Sequence, residues 1–429
     1  MTHFGVLCPP VPGHLNPMTS LGRELQRRGH RVTFLAILDV EAKVLSEGLN
    51  FYPIGQSNAP LGSSSQTLAQ LGKLSGLAAV RFTSQLIQSQ AAIVCHEVPD
   101  AIQAIGIEAL LVDQFEPSGG SVAESLNLPF ITICNALALN QEAGVPPPFY
   151  AWNYSTAWWA GLRNQLGFYI VNRIFAPTIK YLAEYRRQHQ LPVHRKFDDC
   201  FSSLAQISQQ PAEFDFPRTA LPKCFHYTGT FLDVGRAPVA FPFEQLTGQP
   251  LIYASMGTLQ NRLQEIFHCI AAACAESEAQ LVISLGGGNS IEQIQDLPGS
   301  PLVVEYAPQL ELLALAKLTI THAGLNTVLE SLSYGVPMVA IPITNDQPGV
   351  GARLTWTGAG EVVSLNTLSI PKLRDAVERV LTEDAYSNFA TRLKESFTSS
   401  GVIQAADIVE MAVRTRCPVL RTRNVAASS

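Results

Sequence analysis

Residues suited to binding an anion are concentrated between positions 306 and 347, in the strings YAPQ, THAGLNTVLE and GVPMVAIPITNDQ. The strand-like LTIT leads into the turn HAG, and a helix is predicted to begin directly after it. The first N–H groups of such a helix are unpaired and its dipole is positive there, so a phosphate is the expected ligand. Gly324 lets the backbone approach that ligand closely. His322, Asn326 and Thr327 can add side-chain hydrogen bonds.

The same segment offers partners for the rest of a nucleotide sugar. Glu330 lies one helical turn beyond Asn326 on the same helix face, and a carboxylate there can accept hydrogen bonds from ribose hydroxyls. Tyr306 has a flat face that suits stacking on a base. Asp346 and Gln347 follow a predicted strand end and can bond sugar hydroxyls. Each residue alone has an ordinary explanation, such as a solvated helix residue for Glu330, so the prediction depends on the whole string.

Two further positions are candidate diphosphate contacts. Ser255 and Thr258 belong to SMGT, at the end of the predicted first strand of the second half. Ligands of open α/β sheets bind at the carboxyl ends of the strands. A capped strand-to-helix turn explains either residue about as well.

A histidine and an aspartate in the first half are candidates for acid–base chemistry. His14 is predicted to lie in the loop after the first strand, and Asp113 ends the strand ALLVD, so both belong to the carboxyl edge of one sheet. Histidine titrates near neutral pH, and a carboxylate on its other ring nitrogen would fix the tautomer and stabilise the imidazolium. A structural loop histidine and a helix-capping aspartate are the alternatives.

The elements that would position these residues alternate between strand and helix in both halves of the chain. Such alternation predicts α/β domains with parallel, doubly wound sheets. With 429 residues, two domains are expected. We predict an N-terminal domain over residues 1–232, a linker over 233–248, a C-terminal domain over 249–400, and a C-terminal helix and tail over 401–429 that can pack back on the first domain.

Composition and missing motifs exclude several classes of protein. The net charge of −6 disfavours a nucleic-acid binder. The first loop, PPVPGHLNPM, lacks the glycine pattern of a nicotinamide site. No Asp-x-Asp and no short histidine or cysteine spacing suggests a metal, so we expect neither metal nor cofactor. Neither a secretory signal nor a membrane-spanning segment is predicted, which favours a cytoplasmic protein.

The string from Tyr306 to Gln347 resembles the donor-binding signature of family 1 UDP-dependent glycosyltransferases, which have the GT-B architecture of two facing Rossmann-like domains. The resemblance implies that Tyr306 stacks on uracil and Gln309 contacts the nucleoside. It implies that Glu330 binds ribose. The implied diphosphate contacts are His322, Asn326 and Thr327, and the implied sugar contacts are Asp346 and Gln347. It also implies that His14 and Asp113 form the catalytic dyad of a metal-independent, inverting transfer.

The acceptor is suggested by strings outside the donor signature. LLVDQFEPSG, NALALNQE and CFSSLAQISQQPAEFDFP resemble the bacterial zeaxanthin glucosyltransferases within this family. That likeness implies UDP-glucose as donor and a hydroxylated carotenoid as acceptor. Such an acceptor needs an apolar channel and access to membrane, and the aromatic stretch 149–169 can supply both, with peripheral contact at the inner membrane face. An ordinary aromatic core explains that stretch equally well.

Two alternatives stay open at this point. One is a permissive UDP-glycosyltransferase for flavonoids, macrolides or sterols. The other is a UDP-sugar-binding protein that performs no transfer.

Overall fold

The N-terminal half is built on a seven-stranded parallel sheet. The computed structural model describes residues 1–74, 76–232, 239–258, 264–287, 291–294, 296–397 and 401–421. The strands of the first sheet are β1 (His3–Leu7), β2 (Arg31–Ala36), β3 (Asn50–Pro53), β4 (Ala109–Asp113), β5 (Phe130–Cys134), β6 (Gln206–Ser208) and β7 (Phe225–Tyr227). Their order is β3-β2-β1-β4-β5-β6-β7. Because helices cover both faces, β1, β4 and β5 are buried throughout, which explains their unbroken apolar sequences.

The helices of this half are α1 (Pro12–Arg27), α2 (Glu41–Ser46), α3 (Ser63–Leu71), α4 (Gly76–Ile105), α5 (Ser118–Ser125) and α6 (Trp158–Gln188). The start of α1 differs from the sequence prediction, which placed His14 in the loop after the first strand. The helix begins at Pro12, whose ring presets a helical φ at a position that needs no N–H donor. Pro17 therefore lies inside the helix, and His14 is in its first turn.

The C-terminal half has a six-stranded parallel sheet with the order β10-β9-β8-β11-β12-β13. Its strands are β8 (Leu251–Ser255), β9 (Gln280–Ser284), β10 (Leu302–Val304), β11 (Ala316–Thr321), β12 (Met338–Ala340) and β13 (Gly360–Val362). The helices are α7 (Gln264–Cys274), α8 (Gln309–Leu313), α9 (Leu325–Ser333), α10 (Gln347–Thr357), α11 (Ile370–Thr382), α12 (Asp384–Ser396) and α13 (Gly401–Thr415). In each half the strand order reverses beside the first strand, and this is where ligands of such sheets bind.

The last helix, α13, packs on the first domain. Arg28 donates to Asp407 and Glu410 at 2.6 Å each, and Ala405, Val409 and other small side chains of α13 join the core around β1 and α1. Residues 233–238 of the predicted linker, residues 398–400 and the tail 422–429 lie outside the described residues. Within the described part of the chain, no helix has the length and apolarity needed to cross a membrane.

A buried ionic cluster joins the two halves. Asp215 of the first half accepts hydrogen bonds from Arg353 of α10 at 2.7 Å and from Arg218 and the Tyr227 hydroxyl at 2.8 Å each. The Arg353 side chain is 1% exposed and its guanidinium lies 4.4 Å from the centre of the Phe216 ring. Since each charged group is paired, the cluster is a specific contact that fixes α10 against the first domain.

Candidate active site

The predicted histidine and aspartate are in direct contact. His14 Nδ1 lies 2.7 Å from Asp113 Oδ2. Asp113 is fully buried at the end of β4, and its other oxygen accepts the Phe115 backbone N–H at 2.8 Å. Asn135, which the sequence analysis did not single out, donates its side-chain amide to Asp113 Oδ2 at 2.6 Å. These bonds hold the carboxylate in one orientation, so that His14 is directed with its Nε2 edge away from Asp113.

The electrostatics of this pair favour a histidine that accepts a proton. Burial by itself would lower the pKa of His14, but the adjacent carboxylate of Asp113 and the more distant Asp346 outweigh it, and the pKa is raised above its usual value. The His14 side chain keeps 18% of its surface exposed, which leaves its ring open towards the cleft. Such a group can take a proton from a substrate hydroxyl and keep it during a reaction.

The raised pKa of His14 leads to a testable pH dependence. A base must be unprotonated in the free enzyme, so kcat/KM should fall as the pH drops through the raised pKa of His14. Asp113→Asn removes the charge that raises this pKa, so the acidic limb of the profile should move to lower pH while the maximum rate also falls. A profile measured from pH 5 to 9 checks both effects. An unmoved acidic limb in Asp113→Asn would show that His14 does not set it.

A chain of hydrogen bonds connects the dyad to the second domain. Gln209 Nε2 donates to the Asn135 carbonyl and to Asn326 Oδ1, at 2.8 Å each. Asn326 Nδ2 in turn donates to the Gly13 carbonyl at 2.9 Å. That carbonyl is available because the helical donor to it would be the N–H of Pro17, which proline lacks. The predicted phosphate-binding helix α9 is thereby attached to the turn that carries His14.

The predicted diphosphate site lies at the N-terminus of α9. Gly324 precedes the helix with φ −64° and ψ 130°, and because it has no side chain it cannot cap the first N–H groups of α9. Ala323 has φ 64°, a left-handed conformation that is uncommon for a residue with a side chain and concentrates at functional sites. Thr327, in the first turn, is nearly buried.

His322 is held between two glycines on the same side of the cleft. A side-chain carbon built at Gly257 or at Gly324 would fall 2.4 and 2.6 Å from His322 Cε1, so neither position can carry one without displacing the ring. Burial lowers the pKa of His322 to about 4, which keeps the ring neutral at physiological pH. Its Nδ1 is buried and makes no hydrogen bond of good geometry among the described residues.

The predicted nucleoside contacts lie together at the other end of α9. Gln309 donates its side-chain amide to Glu330, and its Oε1 accepts the Tyr253 hydroxyl at 3.1 Å. Glu330 is 5% exposed, so it is a buried carboxylate and not a solvated surface residue. The Tyr306 ring is half exposed and crosses Gly287, where an added Cβ would lie 1.8 Å from the Tyr306 hydroxyl. About half of the Tyr306 side chain therefore remains exposed to solvent.

The predicted sugar contacts lie where the two domains meet. Asp346 Oδ2 accepts the Leu137 backbone N–H at 3.4 Å, and burial raises the pKa of Asp346. Gln347 Oε1 is committed to the backbone N–H groups of Ile343 and Thr344, at 2.8 and 2.9 Å, which leaves its amide nitrogen as the group for a ligand. Gln347 was predicted only as a sugar contact, and its structural role was not predicted from the sequence.

The two candidates in SMGT have different surroundings. Ser255 is buried and its hydroxyl accepts the Gly257 N–H at 3.3 Å, which is the bond of an ordinary serine turn. Thr258 is exposed. The backbone of Ser255 also lies beside His322 and partly offsets the lowering of the His322 pKa by burial.

An apolar cluster adjoins the dyad on the side of the first domain. The Phe115 ring packs edge-on against His14, with 5.5 Å between ring centres. Phe115 belongs to a cluster with Val171 and Phe175 of α6 and with Leu139 and Phe197. Through Phe115, this cluster gives His14 an apolar neighbour within the first domain, whereas the predicted contacts for the sugar donor belong to the second domain.

Comparison with known proteins shows similarity over nearly the whole chain. The family model described as UDP-glucoronosyl and UDP-glucosyl transferase matches residues 13–398. The zeaxanthin glucosyltransferase of Pantoea ananas is 34% identical over 98% of both chains, and that of Pseudescherichia vulneris is 35% identical over 96% of this chain and 98% of its own. A solved calicheamicin glycosyltransferase superimposes with a TM-score of 0.74 at 21% identity, covering 97% of this chain and 100% of its own. The glycosyltransferase VinC in complex with dTDP has a TM-score of 0.68 at 19% identity and covers 96% and 100%.

Two facing Rossmann-like domains, each with a parallel sheet, define the GT-B architecture. The chain belongs to the family 1 UDP-glycosyltransferases, and it is an enzyme that resembles zeaxanthin glucosyltransferases over nearly its whole length. The predicted fold and enzyme class are thereby confirmed, and the interpretation as a binding protein without transfer is set aside.

Proposed function

We propose that this enzyme transfers glucose from UDP-glucose to a ring hydroxyl of a carotenoid such as zeaxanthin, with inversion at the anomeric carbon. The observation that carries the proposal is the contact of Asn326 with Gly13, because it brings the predicted phosphate-binding helix against the residue next to His14. The acceptor follows from the relatives named zeaxanthin glucosyltransferase and from the apolar cluster beside the dyad.

In the proposed mechanism His14 takes the proton of the acceptor hydroxyl on Nε2 while Asp113 holds Nδ1–H and stabilises the imidazolium. The acceptor oxygen forms a bond to the anomeric carbon from the face opposite the diphosphate, and the bond from that carbon to the diphosphate oxygen breaks. The departing UDP gains negative charge, which the N-terminus of α9 and a hydrogen bond from His322 would stabilise. No step calls for a metal or a cofactor.

The assignment of donor and acceptor can be tested with purified enzyme. We expect UDP-glucose and detergent-dissolved zeaxanthin to give a glucoside, detected by mass, with a β-linkage from the α-linked donor. Parallel reactions with flavonols, a macrolide and a sterol test the permissive alternative, and UDP-xylose tests the sugar. Turnover of flavonols without turnover of zeaxanthin would overturn the acceptor while leaving the enzyme class intact.

The role of Glu330 can be tested separately from catalysis. Glu330→Gln removes the charge that would accept ribose hydroxyls, and we expect the Kd for UDP to rise about 10- to 100-fold, since a hydrogen bond to a charged group contributes about 1.5–3 kcal/mol. Titration calorimetry with UDP provides the measurement. Glu378→Gln, on the exposed face of α11, removes the same charge away from the cleft and should leave the Kd unchanged. Equal affinities for wild type and Glu330→Gln would exclude the ribose contact.

A further inference from the structure

Helix α6 has an exposed apolar face that does not belong to any described core. Trp158 is 80% exposed, and Leu162, Leu166 and Tyr169 are 58%, 60% and 61% exposed. Their spacing of three or four residues places them on one side of the helix, together with Ile170, over a length of about 18 Å. A contiguous exposed apolar surface of this kind marks an interaction site.

The structure divides the aromatic stretch 149–169 into two parts with different surroundings. Tyr154 packs on Phe216 and Trp356 across the domain boundary, and Tyr150 stacks on Trp152. These first aromatics are packing residues, and the exposed apolar surface begins only with α6.

The charges around this face have one sign. Between Glu142 and Glu184 the sequence contains no acidic residue, although the net charge of the protein is −6. Over the same interval the cationic residues are Arg163, Arg173 and Lys180. In the described part of the chain none of these three is paired with a carboxylate, and Arg163 lies over the Trp152 and Trp159 rings, 5.0 and 5.4 Å from their centres. Arginines and tryptophans in this arrangement are typical of interfacial helices.

An open groove continues the cationic surface beyond the apolar face. Its volume is about 310 Å³, and its walls include Lys180, Arg187, Arg195 and Lys196. Arg187 is paired with Glu184 at 3.0 Å, and Lys196 of the neighbouring loop lies 3.8 Å from Asp198. In the described part of the chain, no carboxylate is paired with the side chains of Lys180 and Arg195. A groove with these walls suits the phosphate of a lipid headgroup next to an apolar face that enters the acyl region.

We propose that the exposed face of α6 docks on an anionic lipid bilayer. The opposite face of the same helix contributes Val171 and Phe175 to the apolar cluster that reaches His14 through Phe115. An apolar acceptor that leaves the bilayer at the exposed face of α6 would therefore be separated from His14 by about the width of this helix. This route for the acceptor rests on the proposed function, whereas the docking itself does not.

A second copy of the chain is a poorer fit to this face. In a symmetric dimer the same patch meets itself, so Arg173 and Lys180 would approach their own copies, and the only carboxylate in the sequence of α6, Glu184, is already paired with Arg187. An anionic surface compensates every one of these charges at once.

The docking is tested by sedimentation with vesicles of phosphatidylcholine, with and without phosphatidylglycerol. We expect the full-length enzyme to pellet with the anionic vesicles at low salt. Leu162→Ser with Leu166→Ser, and separately Arg173→Glu with Lys180→Glu, should each weaken the binding roughly tenfold or more. Leu45→Ser with Leu61→Ser, at residues that are 52% and 74% exposed elsewhere, is the matched control and should bind as the wild type does.

Each outcome decides the proposal. Absence of vesicle binding, or binding that neither α6 variant weakens, would overturn it. Self-association that the leucine variant abolishes, without vesicle binding, would assign the face to a second copy. If vesicles bind as expected but zeaxanthin is not glucosylated, only the acceptor assignment fails. If zeaxanthin in detergent is glucosylated but vesicles do not bind, only the docking fails.

Discussion

His14→Ala is expected to lower kcat by about 10²–10⁴, the usual contribution of a general base, while the affinity for UDP stays unchanged. The hydroxyl of the sugar acceptor is a poor nucleophile near neutral pH. Without the imidazole that Asp113 holds in place, no base is positioned to take its proton. Residual activity would come from the donor side, where α9 and His322 still stabilise the leaving group. Initial rates at saturating UDP-glucose, together with calorimetry for UDP, measure the two quantities.

The matched control for this experiment is His268→Ala, on the exposed side of α7. Its kcat should equal that of the wild type. If His14→Ala retains wild-type turnover, another group is the base. If it loses UDP binding as well, the substitution has disturbed the Gly13 contact with α9, and the less disruptive His14→Gln should then separate the two effects.

Asp215→Ala is expected to lower the free energy of unfolding by about 3–5 kcal/mol, because it leaves buried cations without their partner. The carboxylate accepts bonds from Arg353, Arg218 and Tyr227, and the arginines approach it from two domains. Without this carboxylate, the ionic contact between α10 and the first domain is lost, and both domains are destabilised. Urea unfolding followed by tryptophan fluorescence measures the loss, with Glu184→Ala as control. That residue pairs with Arg187 at the surface and should contribute no more than about 1 kcal/mol.

The same carboxylate has a defined pH dependence. Burial would raise the pKa of Asp215, but the adjacent guanidinium groups of Arg218 and Arg353 outweigh burial and hold it well below its usual range. A depressed pKa means that the stability contribution is complete above the pKa of an unfolded aspartate and diminishes as the pH falls towards the folded value. Wild type and Asp215→Ala should therefore differ most at neutral pH and converge in acid. A difference that is the same at neutral pH and in acid would contradict the ionic explanation.

The donor side was predictable from sequence because its residues are close together in the chain. The strand, the turn and the helix from Tyr306 to Gln347 form consecutive elements of one parallel sheet, so local patterns locate them. The dyad was predictable for a different reason, since β1 and β4 are neighbours whose carboxyl ends meet at one edge. That rule paired His14 with Asp113 even though it placed His14 in a loop.

Residues joined across the domains could not be predicted in this way. Gln209 bonds Asn326, and Asp215 bonds Arg353, over separations of 117 and 138 residues. Nothing in the local sequence of either partner indicates the other, because the contact arises only when two separately formed sheets face each other. Asn135 was missed for a similar reason: it follows β5 without a motif, and its role depends on the neighbouring strand β4.

One bond in the first helix has a consequence for how substrates enter and leave. The amide of Asn326 supplies to the Gly13 carbonyl the hydrogen that proline at position 17 cannot, and it does so from the other half of the enzyme. When the two domains separate, the Gly13 carbonyl loses this hydrogen bond and must accept one from water, which costs a net free energy of about 0.5–1.5 kcal/mol. The bond therefore adds to the free energy that separation of the two domains requires. Through Asn326, the proline at position 17 of the first domain thus contributes to the contact with the second.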